Sequence, residues 1–152
     1  AMTLARLHRL TAKQFYRERL ERLLKAFGQE ISEYPGELPL VLAAVDFLGA
    51  AGQEVVLVGS QDEPLFQEMN ALLQRRFAPN RVVLHRPPGE VGARNGIGLI
   101  APFVAEQKPL PGAEVTVYVC EDYQCRLPVS SVEELSVILS EGEVAREATS
   151  GE

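Results

Sequence analysis

The stretch EVVLVGS, residues 54–60, decides the fold class of this chain of 152 residues. It is a continuous apolar run with β-branched residues that ends at Gly59, which is typical of a parallel strand covered on both faces. Residues 61–77 follow with apolar residues at helical spacing and with Pro64 in the first turn. We therefore expect a buried strand followed by a helix.

Two further apolar stretches resemble the first one. They are RVVLHRP (81–87) and EVTVYVCE (114–121), and a helical pattern at 128–142 follows the second. Strands that alternate with helices indicate a parallel sheet with right-handed crossovers. We predict an α/β fold over residues 52–141, a small Rossmann-like three-stranded parallel sheet (βαβαβα) with strand order 2-1-3.

The N-terminal third is helical in pattern. Residues 12–31 carry apolar residues at spacings of three to five, which predicts an amphipathic helix. YPGELP (34–39) breaks that pattern, and residues 38–50 form a shorter, almost wholly apolar helix. We predict a helical hairpin over 1–51, whose apolar excess suggests that it packs against more helices.

Both ends of the sequence carry local signals. Ala1 precedes Met2 within helix-forming sequence, from which we expect a fragment of a longer protein. The last helix has a predicted capping box, with Ser130 or Ser131 as the N-cap and Glu133 or Glu134 as its partner. After it, the polar residues 142–152 predict a flexible tail.

The formal charge of −6 disfavours general binding to nucleic acids, which requires a positive surface. Residues 1–30 hold seven basic and three acidic residues, a net charge of +4, which leaves −10 for residues 31–152. The basic helix is either a solvated face or a surface that docks on something acidic, including the rest of its own chain. No apolar run approaches the roughly 20 residues that span a bilayer, so we expect a cytoplasmic protein without a membrane partner.

Ligands of parallel sheets bind beyond the carboxyl ends of the strands, where this chain offers weak candidates. His85 could act as an acid or base, Arg86 could clamp a carboxylate, and Ser60 could contribute to a small-molecule site. The alternative is that these side chains simply face solvent. Because no glycine-rich phosphate motif follows the first strand, we predict no cofactor.

The two cysteines, Cys120 and Cys125, have three possible roles. They could be a structural pair of small apolar residues, a disulfide that closes a loop, or a catalytic or redox pair, with His85 as a partner at a neighbouring strand end. The C-x₄-C spacing and the acidic residues that follow Cys120 weigh against a fast thiol exchanger. Two cysteines and two distant histidines lack the spacing of a structural zinc site, so no metal is predicted.

The segment VTVYVCEDYQCRLPVSSVEELSVIL (115–139) resembles the C-terminus of the thioredoxin-domain-containing, spermatogenesis-associated-like family. In that family a strand ending in tyrosine-valine-cysteine is followed by four variable residues, a second cysteine, a nearby proline and a short helix. Here the pattern falls on Tyr118, Val119, Cys120, Cys125 and Pro128, with the helix from about Ser131. FYRERLERLLKAFGQEISEYPGELPLVLAAVDFL (15–48) is similar to the last helical hairpin of the same family. The resemblance covers roughly residues 10–140.

This resemblance implies an architecture rather than a reaction. The resemblance implies three parts in chain order. They are a thioredoxin-like N-terminal domain, an (α/α)₆ barrel similar to six-hairpin glycosidases, and an α/β segment at the C-terminus. None of their presumed site residues has a matching position here, and this chain alone is not expected to be an enzyme. The leading hypothesis is a non-catalytic C-terminal structural or interaction module of a larger protein. Its partners are the rest of the parent polypeptide or a second copy, held through the N-terminal helices.

The alternative hypothesis is that this chain is part of a thiol-redox or sugar-active enzyme. That enzyme would use Cys120 and Cys125 or the residues at the strand ends.

Overall fold

A computed structural model describes residues 1–49 and 52–149. The N-terminal part consists of α-helices and one short 3₁₀ turn, Pro35–Glu37. The helices are α1 (Met2–Thr11), α2 (Gln14–Ala26), α3 (Gly28–Glu33) and α4 (Pro39–Gly49). The remainder contains β1 (Gln53–Val58), α5 (Pro64–Arg75), β2 (Arg81–Arg86), α6 (Glu90–Asn95), α7 (Ile97–Ile100), α8 (Pro102–Ala105), β3 (Thr116–Glu121), β4 (Gln124–Cys125) and α9 (Val132–Thr149).

The predicted first helix, 12–31, is divided at Phe27, which ends α2 and precedes α3. Gly28 follows Phe27 and is a poor helix former, which accounts for the break. An additional helix, α1, precedes α2 and ends at Ala12, whose φ of 56° lies in the left-handed region. Residues 50 and 51, the end of the predicted helical hairpin, lie outside the described residues.

The strand order is β2-β1-β3-β4, so the predicted order 2-1-3 is confirmed. β1 and β2 are parallel, with Val55 opposite Val83. β3 runs antiparallel to β1, with Val119 opposite Val55. The short β4 pairs antiparallel with β3 and was not predicted. The sheet is therefore mixed, and the prediction of a three-stranded parallel sheet is wrong.

The connections before β2 and before β3 differ in the lengths of their helices. The 12 residues of α5 cover about 18 Å at about 1.5 Å per residue, close to the length of about 20 Å of a six-residue strand. The chain can therefore return along α5 and begin β2 parallel to β1. Between β2 and β3, α6, α7 and α8 have only six, four and four residues. Each is shorter than α5, and β3 starts at the end of the sheet where β2 ends.

Helices cover both faces of the sheet. On one face Val55, Leu57, Val117 and Val119 pack against α5 and α9. On the other face Val56, Val58, Val82 and Leu84 pack against apolar residues of α1, α2, α4 and α8 and the residue before α8, which are Ala5, Leu20, Ala44, Phe47, Val104 and Ala101. The N-terminal helices therefore form one layer of the core.

The last helix starts with the predicted capping box. The backbone N–H of Glu134 donates to Ser131 Oγ at 3.3 Å, and the N–H of Ser130 donates to a Glu134 carboxylate oxygen at 3.2 Å. The helix continues to Thr149 and so covers residues 142–149 of the predicted tail. Residues 150–152 of that tail lie outside the described residues. None of the helices in the described part of the chain is long and apolar enough to cross a bilayer.

Candidate functional site

The strand-end candidates do not converge on one site. Gln61 Nε2 donates to His85 Nδ1 at 3.1 Å, and His85 Nε2 donates to the Gly59 carbonyl at 2.8 Å. Because the carbonyl can only accept, Nε2 carries the hydrogen and both ring nitrogens are engaged. Ser60 Oγ accepts the N–H of Asp62 at 3.3 Å. These side chains stabilise the loop after β1 and leave no free base there.

Arg86 lies on the opposite face of the sheet from His85, as neighbouring residues of a strand must. Its side chain is 1% exposed, and Nη2 lies 3.2 Å from a carboxylate oxygen of Glu90. Among the residues that the structure describes, its Nε finds no hydrogen-bond partner. The alternative that Arg86 faces solvent is therefore wrong, and it shares no site with Ser60 and His85.

The cysteines form a disulfide, Cys120–Cys125, across the paired strands β3 and β4. Cys120 is buried and Cys125 is exposed. Cys120 lies opposite Glu54, whereas His85 lies opposite Leu57, three positions or about 10 Å further along β1. The proposed Cys–His pair depended on a parallel β3 and does not exist. In the described part of the chain, no group of three or more His, Cys, Asp or Glu residues is arranged to hold a metal ion.

A buried charge cluster, which the sequence analysis missed, lies where the N-terminal helices meet the sheet. We call it the Arg9 cluster, and it consists of Arg9, Glu54, Asp122 and Tyr123. Arg9 Nη1 lies 2.8 Å from Glu54 Oε1 and 3.3 Å from Asp122 Oδ1, and both Arg9 and Glu54 are buried. Arg9 thereby joins α1 to β1 and to the turn between β3 and β4.

The same arginine also holds α4. Arg9 Nη2 donates to the Phe47 carbonyl at 3.3 Å, and the guanidinium carbon lies 5.2 Å from the centre of the Phe47 ring. Gly52 provides the space that this arrangement needs, because a Cβ at position 52 would overlap the Arg9 guanidinium. One side chain therefore fixes the positions of α1, α4 and β1 relative to one another.

The β3–β4 turn, residues 121–124, completes the Arg9 cluster. The backbone N–H of Tyr123 donates to Glu54 Oε2 at 2.9 Å, and its hydroxyl lies 3.1 Å and 3.0 Å from the carbonyl oxygens of His8 and Arg9. Asp122 and Tyr123 have φ values of 48° and 65°. Left-handed conformations at both central residues define the two-residue turn that fits the twist of antiparallel strands.

Burial changes the acid–base properties of this cluster. Desolvation raises the pKa of Glu54 above its usual 4.5, although the Tyr123 N–H and Arg9 both stabilise the carboxylate. Desolvation, reinforced by the charge of Glu54, raises the pKa of Tyr123 to about 12. Both groups are therefore more readily protonated than in the unfolded chain.

A cleft of about 640 Å³ lies above the cluster, between α1, α2, α4 and the β3–β4 turn. Arg9 and Arg17 both reach its wall. Each of them is already paired, Arg9 with Glu54 and Asp122, and Arg17 with Glu21 at 2.9 Å. The described residues of the cleft wall therefore present a polar surface on which both arginines are paired, and the cluster is suited to joining elements rather than to chemistry.

One signal in the sequence pointed toward this cluster. Beside the alternative of a solvated face, the basic charge of residues 1–30 and the acidic charge of the remainder allowed docking within the chain, and Arg9 does pair with Glu54 and Asp122. The expected docking helix was the one at 12–31, however, whereas Arg9 belongs to α1. Spacing rules could not identify the partner because Arg9 and Asp122 are 113 positions apart.

Comparison with known proteins found distant relatives. The chain is 25% identical over 137 residues to an uncharacterized protein of Caenorhabditis elegans. It is 24% identical over 141 residues to spermatogenesis-associated protein 20 of Homo sapiens, and 26% identical over 144 residues to that of Rattus norvegicus. These alignments cover 90–91% of this chain but only 17–18% of the relatives.

No family model and no solved structure matches the chain. The similarity to spermatogenesis-associated protein 20 confirms that part of the predicted resemblance. The thioredoxin-like domain and the glycosidase-like barrel stay predictions.

Proposed function

We propose that this chain is a non-catalytic structural and interaction module within a longer polypeptide. In this proposal the N-terminal helices pack against the rest of that polypeptide, and the α/β part holds them in place. The chain aligns with only 17–18% of the length of each relative, which is consistent with a domain of a larger protein. The observation that carries the proposal is the exposed apolar surface of α4.

Helix α4 is apolar on nearly all sides, since Asp46 is its one charged residue. Ala44 and Phe47 are buried against the sheet. Leu40, Leu42 and Val45, which we call the α4 surface, are 75%, 37% and 43% exposed. A helix that is hydrophobic all round is normally buried on all sides. The α4 surface therefore favours a further packing partner.

Other exposed apolar side chains lie on the neighbouring N-terminal elements. Phe15, Phe27 and Tyr34 are all exposed, whereas Leu20 of the same region is fully buried. Exposed apolar side chains also occur elsewhere in the described part of the chain, for example at Phe77, Leu99 and Leu127, so the proposal rests on the α4 surface. The Arg9 cluster supports this function because its contact with the Phe47 carbonyl fixes α4 on the sheet.

Co-purification of two separate polypeptides tests the proposal. The reading frame upstream of the codon for Ala1 supplies one polypeptide, and the present chain is the other. We expect a stable complex that is lost in the double variant Leu42→Asp/Val45→Asp. Val137→Asp is the matched control, because Val137 is an exposed valine on the distant helix α9. An in-frame stop codon directly upstream, or equal binding by all variants, would contradict the proposal.

The disulfide favours one alternative, a thiol-redox function of Cys120 and Cys125. Cys125 lies on a strand next to Arg126 rather than at a helix N-terminus, where reactive thiols are commonly activated. Turnover of a dithiol substrate at an enzyme-like rate, abolished by Cys125→Ser, would support this alternative. The same result would overturn the non-catalytic proposal.

A further inference from the structure

We propose that the Cys120–Cys125 disulfide is a redox switch for the β3–β4 turn. In this proposal a small-molecule thiol attacks Cys125, and reduction releases Asp122 and Tyr123 from α1. The inference rests on contacts within this chain and not on the partner proposed above. It can therefore fail or succeed independently of the docking of α4.

The β3–β4 turn depends on more than its own conformational preference. Asp122 and Tyr123 both adopt left-handed backbone conformations, which cost free energy for residues other than glycine. The disulfide joins the two residues that flank residues 121–124. Polar contacts hold the turn from the other side, through Arg9 and Glu54. After removal of the covalent link, these contacts, the pairing of β3 with β4 and the bond from the Asp122 N–H to the Gly52 carbonyl must hold two unfavourable backbone conformations.

The two sulfurs differ in accessibility. Cys120 is buried and lies opposite Glu54 in the sheet, whereas Cys125 is exposed. Gln107 Nε2 donates a hydrogen bond to Cys125 Sγ at 3.3 Å. An attacking thiolate can therefore reach Cys125 from solvent but cannot reach Cys120.

The chemical step follows from this accessibility. A thiolate attacks Cys125 Sγ, the Sγ–Sγ bond breaks, and Cys120 leaves as a thiolate that takes up a proton. A second thiol attacks the mixed disulfide and releases Cys125 as a thiol. Two small-molecule thiols become one disulfide, and the protein gains two thiols. Glutathione or a synthetic dithiol can supply these electrons.

The consequence of reduction is a change at the cleft. Tyr123 and Asp122 both reach the wall of the cleft, and the Tyr123 hydroxyl is bonded to the last turn of α1. When the turn relaxes, this hydroxyl leaves the carbonyls of His8 and Arg9. The cleft then opens on the side of the β3–β4 turn, while the central strands stay paired.

The test is hydrogen exchange of the whole chain in glutathione buffers of graded redox ratio, with mass spectrometry to report the bond. The N–H of Asp122 donates to the Gly52 carbonyl, and that of Tyr123 donates to Glu54. On reduction we expect exchange at both amides to become at least about tenfold faster, as for a local opening. The Val117 amide, which donates to the Val129 carbonyl, is the internal control and keeps its rate. The exchange rates and the disulfide content should change at the same glutathione redox ratio, and both changes should reverse on oxidation.

Two variants sharpen the result. Cys120→Ser/Cys125→Ser should exchange like the reduced protein at every glutathione ratio. In the wild type, reduction should also change exchange at the Ala12 amide, because this amide shares the His8 carbonyl with the Tyr123 hydroxyl. Tyr123→Phe retains the disulfide but lacks the hydroxyl and should not show this change. Equal exchange in both redox states, reduction only in denaturant, or loss of protection at Val117 as well would each overturn the switch.

Discussion

Arg9 and Glu54 form a buried ion pair whose partners are 45 positions apart in the sequence. A charge removed from water costs free energy unless other charges and hydrogen bonds replace the solvent. Arg9 has two carboxylates and the Phe47 carbonyl, and Glu54 has a guanidinium and the Tyr123 N–H. Loss of one partner should therefore cost more than the intact pair contributes.

The substitution Gly52→Ala tests this pair without removing a charge. The new methyl group would occupy the position of the Arg9 guanidinium, so Arg9 must leave Glu54. We expect the free energy of unfolding in urea to fall by about 3 kcal/mol. Gly36→Ala is the control, because no atom of the described residues would contact a Cβ there. Equal stability of the two variants would show that the ion pair does not contribute.

The raised pKa of Glu54 predicts a pH dependence of stability. Because the folded pKa lies above 4.5, the carboxyl of the unfolded chain loses its proton first as the pH rises. The contribution of Glu54 is fully present below pH 4.5 and declines as the pH rises through the folded pKa. We expect unfolding experiments from acid to neutral pH to show this decline in the wild type and not in Glu54→Gln. The exposed Glu106→Gln should retain it.

Tyr123 has a higher pKa than an ordinary tyrosine. Its pKa of about 12, raised by burial from 10, places its ionisation at the upper end of the alkaline range. The unfolded chain ionises first, so the stability contributed by Tyr123 is lost as the pH rises from about 10 to about 12. Absorbance titration at alkaline pH should lose its latest step in Tyr123→Phe. A last step of equal size in the wild type and in Tyr123→Phe would contradict this assignment.

At the scale of elements, local signals predicted the existence of strands and the start of the last helix. β1 and β2 were recognised because continuous apolar runs are typical of buried strands. The start of α9 was recognised because a capping box involves neighbours three positions apart. Both signals lie within a short window of the chain.

The direction of β3 could not be predicted in the same way. Its apolar pattern is the same in a parallel and an antiparallel sheet, and the direction depends on the short helices between β2 and β3. With β3 parallel to β1, His85 was expected near Cys120. In the antiparallel sheet Cys120 lies opposite Glu54 instead, a pairing that the prediction did not contain. The candidate site was therefore missed because it depends on the arrangement of distant elements.

The capping box of α9 allows a test at this scale. Ser131→Ala removes the acceptor of the Glu134 N–H and should lower the free energy of unfolding by about 1 kcal/mol. Ser32→Ala, in the interior of α3, is the matched control, since its hydroxyl donates to the Gly28 carbonyl and caps no helix. Urea denaturation of both variants measures the difference. A larger loss in the control would exclude the capping contribution.

At the scale of the whole molecule, the two sides of the N-terminal helices have different environments. Their inner side belongs to the core through Ala5, Leu20, Ala44 and Phe47. Their outer side carries the α4 surface. The Arg9 cluster lies between the helices and the sheet and so fixes the orientation of that surface. The fold thus presents apolar area in a defined position.

When the chain is alone, the α4 surface has no other polypeptide to cover it, and a second copy offers the same apolar surface. Two copies that bury this area gain about 25 cal/mol for each Å² of apolar surface removed from water. We expect sedimentation velocity to show concentration-dependent self-association. Leu42→Glu/Val45→Glu should raise the dissociation constant at least about tenfold, because burial of two carboxylates opposes contact. Val137→Glu on α9 should leave it unchanged. A monomer at all concentrations, or equal weakening by the α9 control, would show that the α4 surface does not drive association.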